Sequence, residues 1–469
     1  MNPLKSIKLL LKYFFSIFNF EIKKISDESK KEIQAVQNGF TEKNNINYLN
    51  ICSLKYPLNF TFEYEKFKYY FSNLDYKAYK HLKLFFIKKK KWIEKNIFFL
   101  NYDFVPFKLF YGSWGHAIGL NTLILANRYG LRKRKKIIFI QNNKLKFTNS
   151  ILAGYFKEHI NFLEEDNLEK GFIRLLRKVE MDTGQCIEFD DFALTGPEAL
   201  NYIEQKRFDK KPWLKLKKEH ELEGSRELKK LKIKKNQWFV TMHIRQMGYK
   251  KENNRNTSQL HRSPNPKNYI DAIKLITDHG GIVFLMGTNK YNFPKMKNFI
   301  IYSESKIKSE LMDIFLAAKS KFSICNSSGF WTISKSFGTP VLLTDSACHT
   351  DYLNLSTNEM YLPRLFKSKK TDKYVSLVKS FSYPLNSLHH DTSFEKIGLE
   401  FIENTSQEIS NAVQEMIHKH ILKKGPKKLS KFQKKFKLKF NKENNNEHVC
   451  LKAFANLPES FLRKNKHLI

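Results

Sequence analysis

Two cationic side chains stand at the end of an apolar stretch in FVTMHIRQMGY, residues 239–249. His243 and Arg245 are two residues apart, so both share one face of an extended chain. The apolar and β-branched residues before them predict a buried strand, and the polar run after Gly248 predicts a solvated loop. An arginine at that position can bind a phosphate through two parallel N–H···O hydrogen bonds. The pattern indicates an anion site, with a core histidine beside a surface arginine as the alternative.

A second segment with the same chemistry is CNSSGFW, residues 325–331, where Ser327, Ser328 and Gly329 form a predicted turn between a strand and a helix. Two hydroxyls, a glycine and the free N–H groups of a helix start would suit an anion. Helix capping by serine is the alternative interpretation. Arg262 in LHRSPNP could bring a further cation to the same place, and Gly287 ends a predicted strand where a ligand could approach closely.

The segment GSWGH, residues 112–116, offers a counterpart from the N-terminal half. Gly112 and Gly115 permit close approach at a strand–helix turn, and His116 could act as a general base. An ordinary helix cap is the alternative for His116. The glycines are not followed by the Lys and Ser or Thr of a phosphate-binding P-loop, and two glycines are only part of a dinucleotide fingerprint.

Alternating strands and helices are predicted to position these residues. From residue 237 a strand–helix rhythm runs to a last strand at TPVLLTDS, and FKLF, a helix and KKIIFI form one βαβ unit upstream. Thr405, three residues before Glu408, predicts a capped helix, and the charged segment 205–235 is interpreted as a linker. The predicted regions are a helical, membrane-associating segment 1–100, an acceptor domain with linker 101–235, a donor-binding domain 236–425, and a basic tail with a terminal helix 426–469.

Composition limits the function classes. With 469 residues, 41% hydrophobic and 14% aromatic, the chain can form two packed domains. Its formal charge of +37 favours anionic partners, although the Lys- and Asn-rich usage is equally well explained by genomic AT bias. The basic residues are not grouped in a recognition module, so no specific nucleic acid is expected. Five scattered cysteines without a CxxC pair indicate a reducing cytoplasm and no zinc site.

The first 25 residues, MNPLKSIKLLLKYFFSIFNFEIKKI, resemble neither a cleaved signal peptide nor a membrane span. A span needs about 20 apolar residues, and lysines interrupt this stretch. An interfacial helix on the inner membrane leaflet and an ordinary helix packed on the protein are both compatible with the pattern. We therefore expect a cytoplasmic protein that either lies on the inner membrane or remains free of it.

Several of these segments resemble a family of bacterial glycosyltransferases linked to surface polysaccharide synthesis. The resemblance is carried by HIRQMGY, HRSP, NYIDAIKLITDHGGIVFLMGT and DIFLAAKSKFSICNSSGFWTISKSFGTPV. The upstream GSWGH and the downstream GLEFIENTSQEISNAVQEM and LPESFLRKN also resemble that family, so the resemblance covers roughly residues 100–365 and 398–465. It implies an α/β fold of the GT-B type, with two Rossmann-like doubly wound domains facing a cleft and a helical N-terminal extension. The HxR element is also similar to a fucosyltransferase-type motif whose arginine meets the donor diphosphate. Gln246 and Met247 depart from that motif, so GDP-fucose is not assigned as the donor.

The resulting prediction is a metal-independent glycosyltransferase that moves a sugar from a nucleoside diphosphate donor to a glycan or lipid-linked acceptor. No paired acidic motif stands at a strand end to hold a metal, and no cofactor is expected. The alternatives are a nucleotide-sugar epimerase or hydrolase on the same fold and, in a different class, a basic nucleic-acid-binding protein. The predicted catalytic residues are His116 and Arg245, and the predicted binding residues are Gly112, Gly115, His243, Arg262, Gly287, Ser327, Ser328 and Gly329.

Overall fold

A computed structural model describes most of the chain from residue 58 onward. The described ranges are 58–96, 102–104, 108–112, 114–133, 136–164, 186–189, 192–207, 209, 211–246, 260–287, 291–426, 428–445 and 449–469. The predicted interfacial helix in residues 1–25 lies outside these ranges. Within them, no helix has the length and apolar character that a membrane crossing requires.

The C-terminal half is built on a six-stranded parallel sheet. Its strands are β6 (Phe239–His243), β7 (Ile282–Leu285), β8 (Phe299–Ile301), β9 (Ser323–Cys325), β10 (Val341–Ser346) and β11 (Met360–Pro363). Their spatial order is β11-β10-β9-β6-β7-β8. With β6 counted as strand 1 and the sheet read from the β8 edge, that order is 3-2-1-4-5-6, the arrangement of a doubly wound Rossmann sheet. The order reverses between β6 and β9, and the carboxyl ends of these two strands flank the position where such folds bind ligands.

Local sequence signals explain the helices that cover this sheet. They are α8 (Ile270–Asp278), α9 (Glu310–Lys319) and α10 (Phe330–Ser336). Ser309 caps α9 by accepting a hydrogen bond from the Met312 amide, and Gly280 follows α8 with φ +79°, a left-handed conformation suited to glycine. β6, β7 and β9 are almost wholly buried, as strands covered on both faces must be.

The N-terminal half contains a smaller parallel sheet in the order β1-β2-β3. The strands are β1 (Tyr102–Phe104), β2 (Lys136–Gln141) and β3 (Asn161–Glu164), with helices α3 (Lys108–Tyr111), α4 (Ala117–Arg128) and α5 (Ser150–Phe156) between them. The predicted strand at FKLF is wrong, because α3 occupies that segment and the strand lies earlier. A short apolar run does not distinguish a strand from a buried helical turn. Here Phe110 packs against Phe139 and Phe156, so the same burial is reached from a helix.

The remaining helices and strands surround the two sheets. They are α1 (Leu58–Ser72), α2 (Lys77–Asn96), β4 (Cys186–Glu188), β5 (Ala193–Thr195), α6 (Gly196–Lys206), α7 (Lys218–Lys230), β12 (Leu365–Ser368), α11 (Leu377–Ser380), α12 (Asp391–Lys396), β13 (Leu399–Ile402), α13 (Ser406–His420), α14 (Lys431–Glu443) and α15 (Glu459–Lys464). β4 pairs with β5, and β12 pairs with β13, in both cases antiparallel.

These elements confirm some predictions and correct others. The helical N-terminal extension is present as α1 and α2, and Thr405 and Glu408 form the predicted capping box of α13. The predicted linker contains α7, whose Gly224 lies against Phe315 of α9. The strand at TPVLLTDS is β10, and β11 follows it. The basic tail includes α14, because Phe436 and Phe440 lie four apart and bury one face.

The predicted fold class, α/β with Rossmann-like parallel sheets in both halves, is confirmed. One continuous apolar core runs from Phe110 in the N-terminal half to Ile469 at the chain end. The predicted region boundaries remain predictions. This shared core holds the two sheets together, and the loop after β9 meets the loop before α4.

Candidate functional site

The candidate site is built at the switch point of the six-stranded sheet. His243 ends β6 and pairs in register with Cys325, which ends β9. The chain therefore leaves two adjacent strands at the same height, and the next residues of each strand meet at that edge. Arg245 follows β6, and Asn326 follows β9.

Asn326 connects the two segments that carry arginines. Its side chain is fully buried. The Arg245 amide donates a hydrogen bond to Asn326 Oδ1 at 3.0 Å, and Asn326 Nδ2 donates to the Arg262 carbonyl at 2.8 Å. One amide side chain thus fixes the backbone at both arginines. Sequence reasoning did not select Asn326, since its partners are 81 and 64 residues away.

The two arginine side chains are half-buried, and each donates to a neutral oxygen. Arg245 Nη1 lies 2.7 Å from Ser263 Oγ. Arg262 Nε lies 2.8 Å from the Ser327 carbonyl oxygen, to which Nη2 also donates. Arg262 therefore steadies the turn after β9 while its charge stays at the sheet edge.

The turn that presents Arg262 is held by an aspartate. Asp391 accepts hydrogen bonds from the Leu260 amide at 2.9 Å and the His261 amide at 3.1 Å. Its carboxylate also lies 2.5 Å from His261 Nδ1. Burial lowers the pKa of His261 below its ordinary value, against the opposing pull of Asp391. A neutral His261 that donates through Nδ1 gives Asp391 three donors and fixes the short 3-10 turn at Leu260–Arg262.

His243 is a neutral group at this edge. Burial, with a smaller effect of Arg245, lowers the pKa of His243 to about 4. Its ring stacks on Phe330 with centroids 5.7 Å apart and planes 8° apart. Gly287 at the end of β7 has φ +82°, and a Cβ built there would lie 2.9 Å from His243 Nε2. The glycine is therefore needed both for the left-handed turn and for the approach of the imidazole.

The hydroxyl of Ser327 is used inside the protein. It donates to Asp351 Oδ2 at 2.8 Å and lies 2.6 Å from Ser346 Oγ. Burial raises the pKa of Asp351, partly offset by the Ser327 hydrogen bond and by Arg262. Ser327, one of the predicted binding residues, therefore contributes its carbonyl oxygen to the site. This oxygen accepts hydrogen bonds from Arg262 and helps to orient it.

Ser328 and Gly329 lie where the two halves of the molecule touch. A Cβ built on Gly329 would lie 2.5 Å from the Gly115 nitrogen, so the two glycine-bearing loops are packed backbone to backbone. Thr332 Oγ1 donates to the Trp114 carbonyl at 2.9 Å, and the Trp114 ring lies on Phe330 with centroids 6.2 Å apart. Trp114 and Gly115 therefore cover the start of α10.

Three polar atoms near this contact are buried and have no hydrogen-bond partner within the described part of the chain. They are Trp114 Nε1, Ser328 Oγ and His243 Nδ1. Buried polar groups normally find partners, so these three atoms offer hydrogen bonds that the described residues leave unused. Trp114 and Asn326 are the two residues here that the sequence reasoning missed.

The structure gives little detail on the other predicted N-terminal residues, Gly112, Gly115 and His116. The Gly112 carbonyl accepts from Thr148 Oγ1 at 3.2 Å, and Gly115 and His116 belong to the 3-10 turn Trp114–His116 that precedes α4. The structure thus brings Gly115 to Gly329, and it brings His243, Arg245, Arg262, Gly287 and Ser327 to one sheet edge. The base role of His116 stays a prediction.

Comparison with known proteins gives only distant similarities. No family model matches the chain, and a search of curated proteins finds no significant match. Among solved structures, a glycosyl transferase family 9 protein from Veillonella parvula matches at 11% identity and TM-score 0.30 over 49% of this chain and 77% of that one. The ADP-heptose lps heptosyltransferase II of E. coli matches at 11% identity and TM-score 0.31, over 52% of this chain and 83% of that one.

A third similarity is to the iron-containing dodecameric glycosyltransferase TibC of enterotoxigenic E. coli. It has 11% identity and TM-score 0.32, over 68% of this chain and 75% of that one. At identities and TM-scores this low, no residue role and no activity is taken from these proteins.

Proposed function

We propose that this chain is a glycosyltransferase that transfers a sugar from a nucleoside diphosphate donor to a glycan or lipid-linked acceptor. The observation that carries the proposal is the pair Arg245 and Arg262, both fixed through their backbones by Asn326 at the switch point of a Rossmann-order sheet. Doubly wound sheets bind nucleotides at this position, and arginine matches the geometry of phosphate oxygens. The resemblance of the HIR, HRSP and NSSG segments to bacterial glycosyltransferases adds the reaction class.

The proposed chemistry is the departure of a nucleoside diphosphate. As the bond from the sugar to the diphosphate breaks, negative charge grows on the leaving oxygen, and fixed positive charge there lowers the barrier. Arg245 supplies this charge directly. Arg262 supplies it less directly, because two of its N–H groups hold the Ser327 carbonyl. His243, with a pKa of about 4, contributes hydrogen bonds rather than charge near neutral pH.

The acceptor side is proposed to come from the GSWGH segment. His116 is the proposed base that removes the acceptor proton, and Gly112 is proposed to allow the acceptor to approach, while Gly115 allows its loop to pack on Gly329. General base catalysis contributes about 100-fold or more, so His116→Ala should lower the transfer rate by that factor while donor affinity is kept. Loss of donor affinity together with rate would assign His116 to binding. A lipid-linked acceptor would suit a cytoplasmic enzyme held on the inner membrane leaflet by residues 1–25.

The function is tested by ligand-dependent stabilisation followed by turnover. UDP, GDP, ADP, CMP and dTDP are each added to the full chain with excess EDTA, and the melting temperature is measured. A ligand that binds the folded state raises the melting temperature, so one nucleotide should raise it more than the others do. Turnover of the matching nucleotide sugars should require an acceptor and should continue in EDTA. Turnover without any acceptor would indicate a hydrolase or epimerase, and activity restored only by added metal would overturn the metal-free part of the proposal.

A further inference from the structure

Helix α14 exposes a leucine in the middle of a lysine-covered face. Lys431, Lys434, Lys435, Leu438 and Lys442 are all exposed, and Leu438 has 71% of its surface open. At 3.6 residues per turn these five positions fall within about 100° around the helix. We call them the Lys–Leu surface of α14. Gln433, Phe436 and Phe440 on the opposite face are buried against the protein.

The lysines of α14 divide into two groups. Lys437 and Lys439, outside the Lys–Leu surface, donate to the backbone oxygens of Phe454 and Ile469. The four lysines of the Lys–Leu surface make no ion pair with an acidic side chain anywhere in the described residues. The segment before the helix continues the pattern, with exposed lysines and two further exposed leucines, and between residues 421 and 442 the sequence has no Asp or Glu. The exposed lysines and leucines of that segment, within the described residues, are Leu422, Lys423, Lys424, Lys428 and Leu429.

We propose that the Lys–Leu surface of α14 docks on an anionic lipid bilayer. Lysine ammonium groups are attracted to acidic headgroups, and an exposed leucine at the centre of the face can enter the boundary between headgroups and acyl chains. With four lysines on one side and the phenylalanines on the other, α14 would lie parallel to the membrane plane. This placement does not depend on the proposed activity, although it would bring the enzyme to a lipid-linked acceptor.

The residue types favour lipid over nucleic acid. Surfaces that bind single-stranded RNA or DNA combine positive charge with exposed aromatic side chains on which bases stack. In α14 Phe436 and Phe440 are buried, Phe432 is half-buried against the core, and the large apolar residue that is exposed is aliphatic. The helix also contains no arginine. A base would therefore find no exposed aromatic ring on α14, whereas an acyl chain would find the exposed Leu438.

The chain supplies a matched control on α7. That helix exposes Leu222 with 64% of its surface open, together with Lys218 and Lys229, so the exposed residue types are the same. Its charges differ, because Glu221 pairs with Lys319 and Glu227 pairs with Lys230. Equivalent substitutions on α7 should therefore remove the same residue types and leave membrane binding unchanged.

The test is cosedimentation of the full chain with phosphatidylcholine vesicles, with or without phosphatidylglycerol. Wild type should bind only the anionic vesicles. Lys434→Gln with Lys435→Gln should weaken that binding about 30-fold, since each lysine near an anionic surface contributes about fivefold. Leu438→Ser, which leaves the charge unchanged, should weaken it about tenfold through lost apolar burial. Lys218→Gln with Lys229→Gln, and Leu222→Ser, should leave it unchanged.

Several outcomes would overturn the proposal. One is wild-type vesicle binding in both α14 variants, which would assign any membrane contact to another part of the chain. Another is unchanged binding in Leu438→Ser, because a lipid-inserting face must respond to its leucine. A third is loss of single-stranded RNA binding in the lysine variant while vesicle binding persists. Melting temperatures of all variants show whether an effect comes from unfolding instead, and a variant that unfolds is replaced by Lys431→Gln with Lys442→Gln.

Discussion

Two arginines at the same edge of the six-stranded sheet are used in different ways. Arg364 follows β11 and is 1% exposed. Its Nε lies 3.3 Å from Asp345 Oδ1, its Nη2 lies 3.4 Å from Glu403 Oε1, and its guanidinium lies 5.0 Å from the ring centre of Phe401. Arg245 follows β6 and is half-buried, with its backbone amide bound to Asn326 and its side chain bound to Ser263.

The difference separates a structural arginine, Arg364, from an arginine that is available to a ligand, Arg245. A buried arginine with carboxylate partners joins parts of the protein, and its charge is neutralised where it lies. An arginine fixed through its backbone, with its side chain partly open at a ligand-binding edge, can present charge to a substrate. Burial and the described partners therefore distinguish the two roles, although both residues are arginines.

The largest expected effect is on stability, from Arg364→Ala. This change leaves the buried Asp345 without its cation, and breaking a buried ion pair from one side costs about 3–5 kcal/mol. Urea denaturation should show this loss in the free energy of unfolding. Arg245→Ala should cost less in the same measurement, since the Arg245 side chain is only half-buried and the hydrogen bond described for it goes to the neutral hydroxyl of Ser263. Equal losses in the two variants would remove the distinction between them.

Asn326→Ala should affect both stability and donor binding. The change leaves the Arg245 amide and the Arg262 carbonyl without their partner, at about 1–3 kcal/mol for a buried unsatisfied group. The two arginines would then be less fixed, so nucleotide affinity should fall about tenfold, measured by calorimetric titration. Ser320→Ala, at a buried hydroxyl beyond the site, is the control for stability loss alone. Unchanged affinity in Asn326→Ala would mean that the arginines are positioned by other groups.

A smaller effect is expected from Gly287→Ala, with Gly280→Ala as its matched control. Both glycines have left-handed φ, +82° and +79°, so alanine costs about 1 kcal/mol of backbone strain at either position. A Cβ on Gly280 meets nothing within 4 Å, whereas one on Gly287 would meet His243. Gly287→Ala should therefore be the less stable variant and the one that weakens nucleotide binding. Equal stability and equal nucleotide affinity in the two variants would show that His243 can shift to accommodate the added methyl group.

How much the sequence predicts depends on how local each signal is. The strand ends at His243 and Cys325, the stop at Gly280 and the capping box at Thr405 follow from neighbouring residues, and the structure has all four. Segments with mixed signals are harder to predict, and the strand predicted at FKLF was wrong. FKLF is too short to separate a helix from a strand, and the lysine-rich run around α14 hides two phenylalanines at helical spacing.

The site itself was predicted less completely than the fold. The positions of Arg245 and Arg262 at one edge follow from strand order, but Asn326 looks like any turn residue in a Ser-rich segment. Its role depends on partners that only the folded chain brings near. The same holds for Ser327, whose hydroxyl bonds to Asp351 and Ser346 instead of facing a ligand. A sequence shows which side chains are available, and the folded structure decides which of their atoms are already used.

The most direct test of the account is nucleotide binding by Arg245→Lys. Lysine keeps the positive charge but loses the planar pair of donors that matches a diphosphate. With the nucleoside diphosphate selected by the stability screen, calorimetric titration should show affinity at least tenfold weaker than wild type, with an unchanged melting temperature. Arg226→Lys, on the exposed face of α7, should bind as wild type does. Wild-type affinity in Arg245→Lys would contradict the central claim, because Arg245 would then not contact the donor diphosphate.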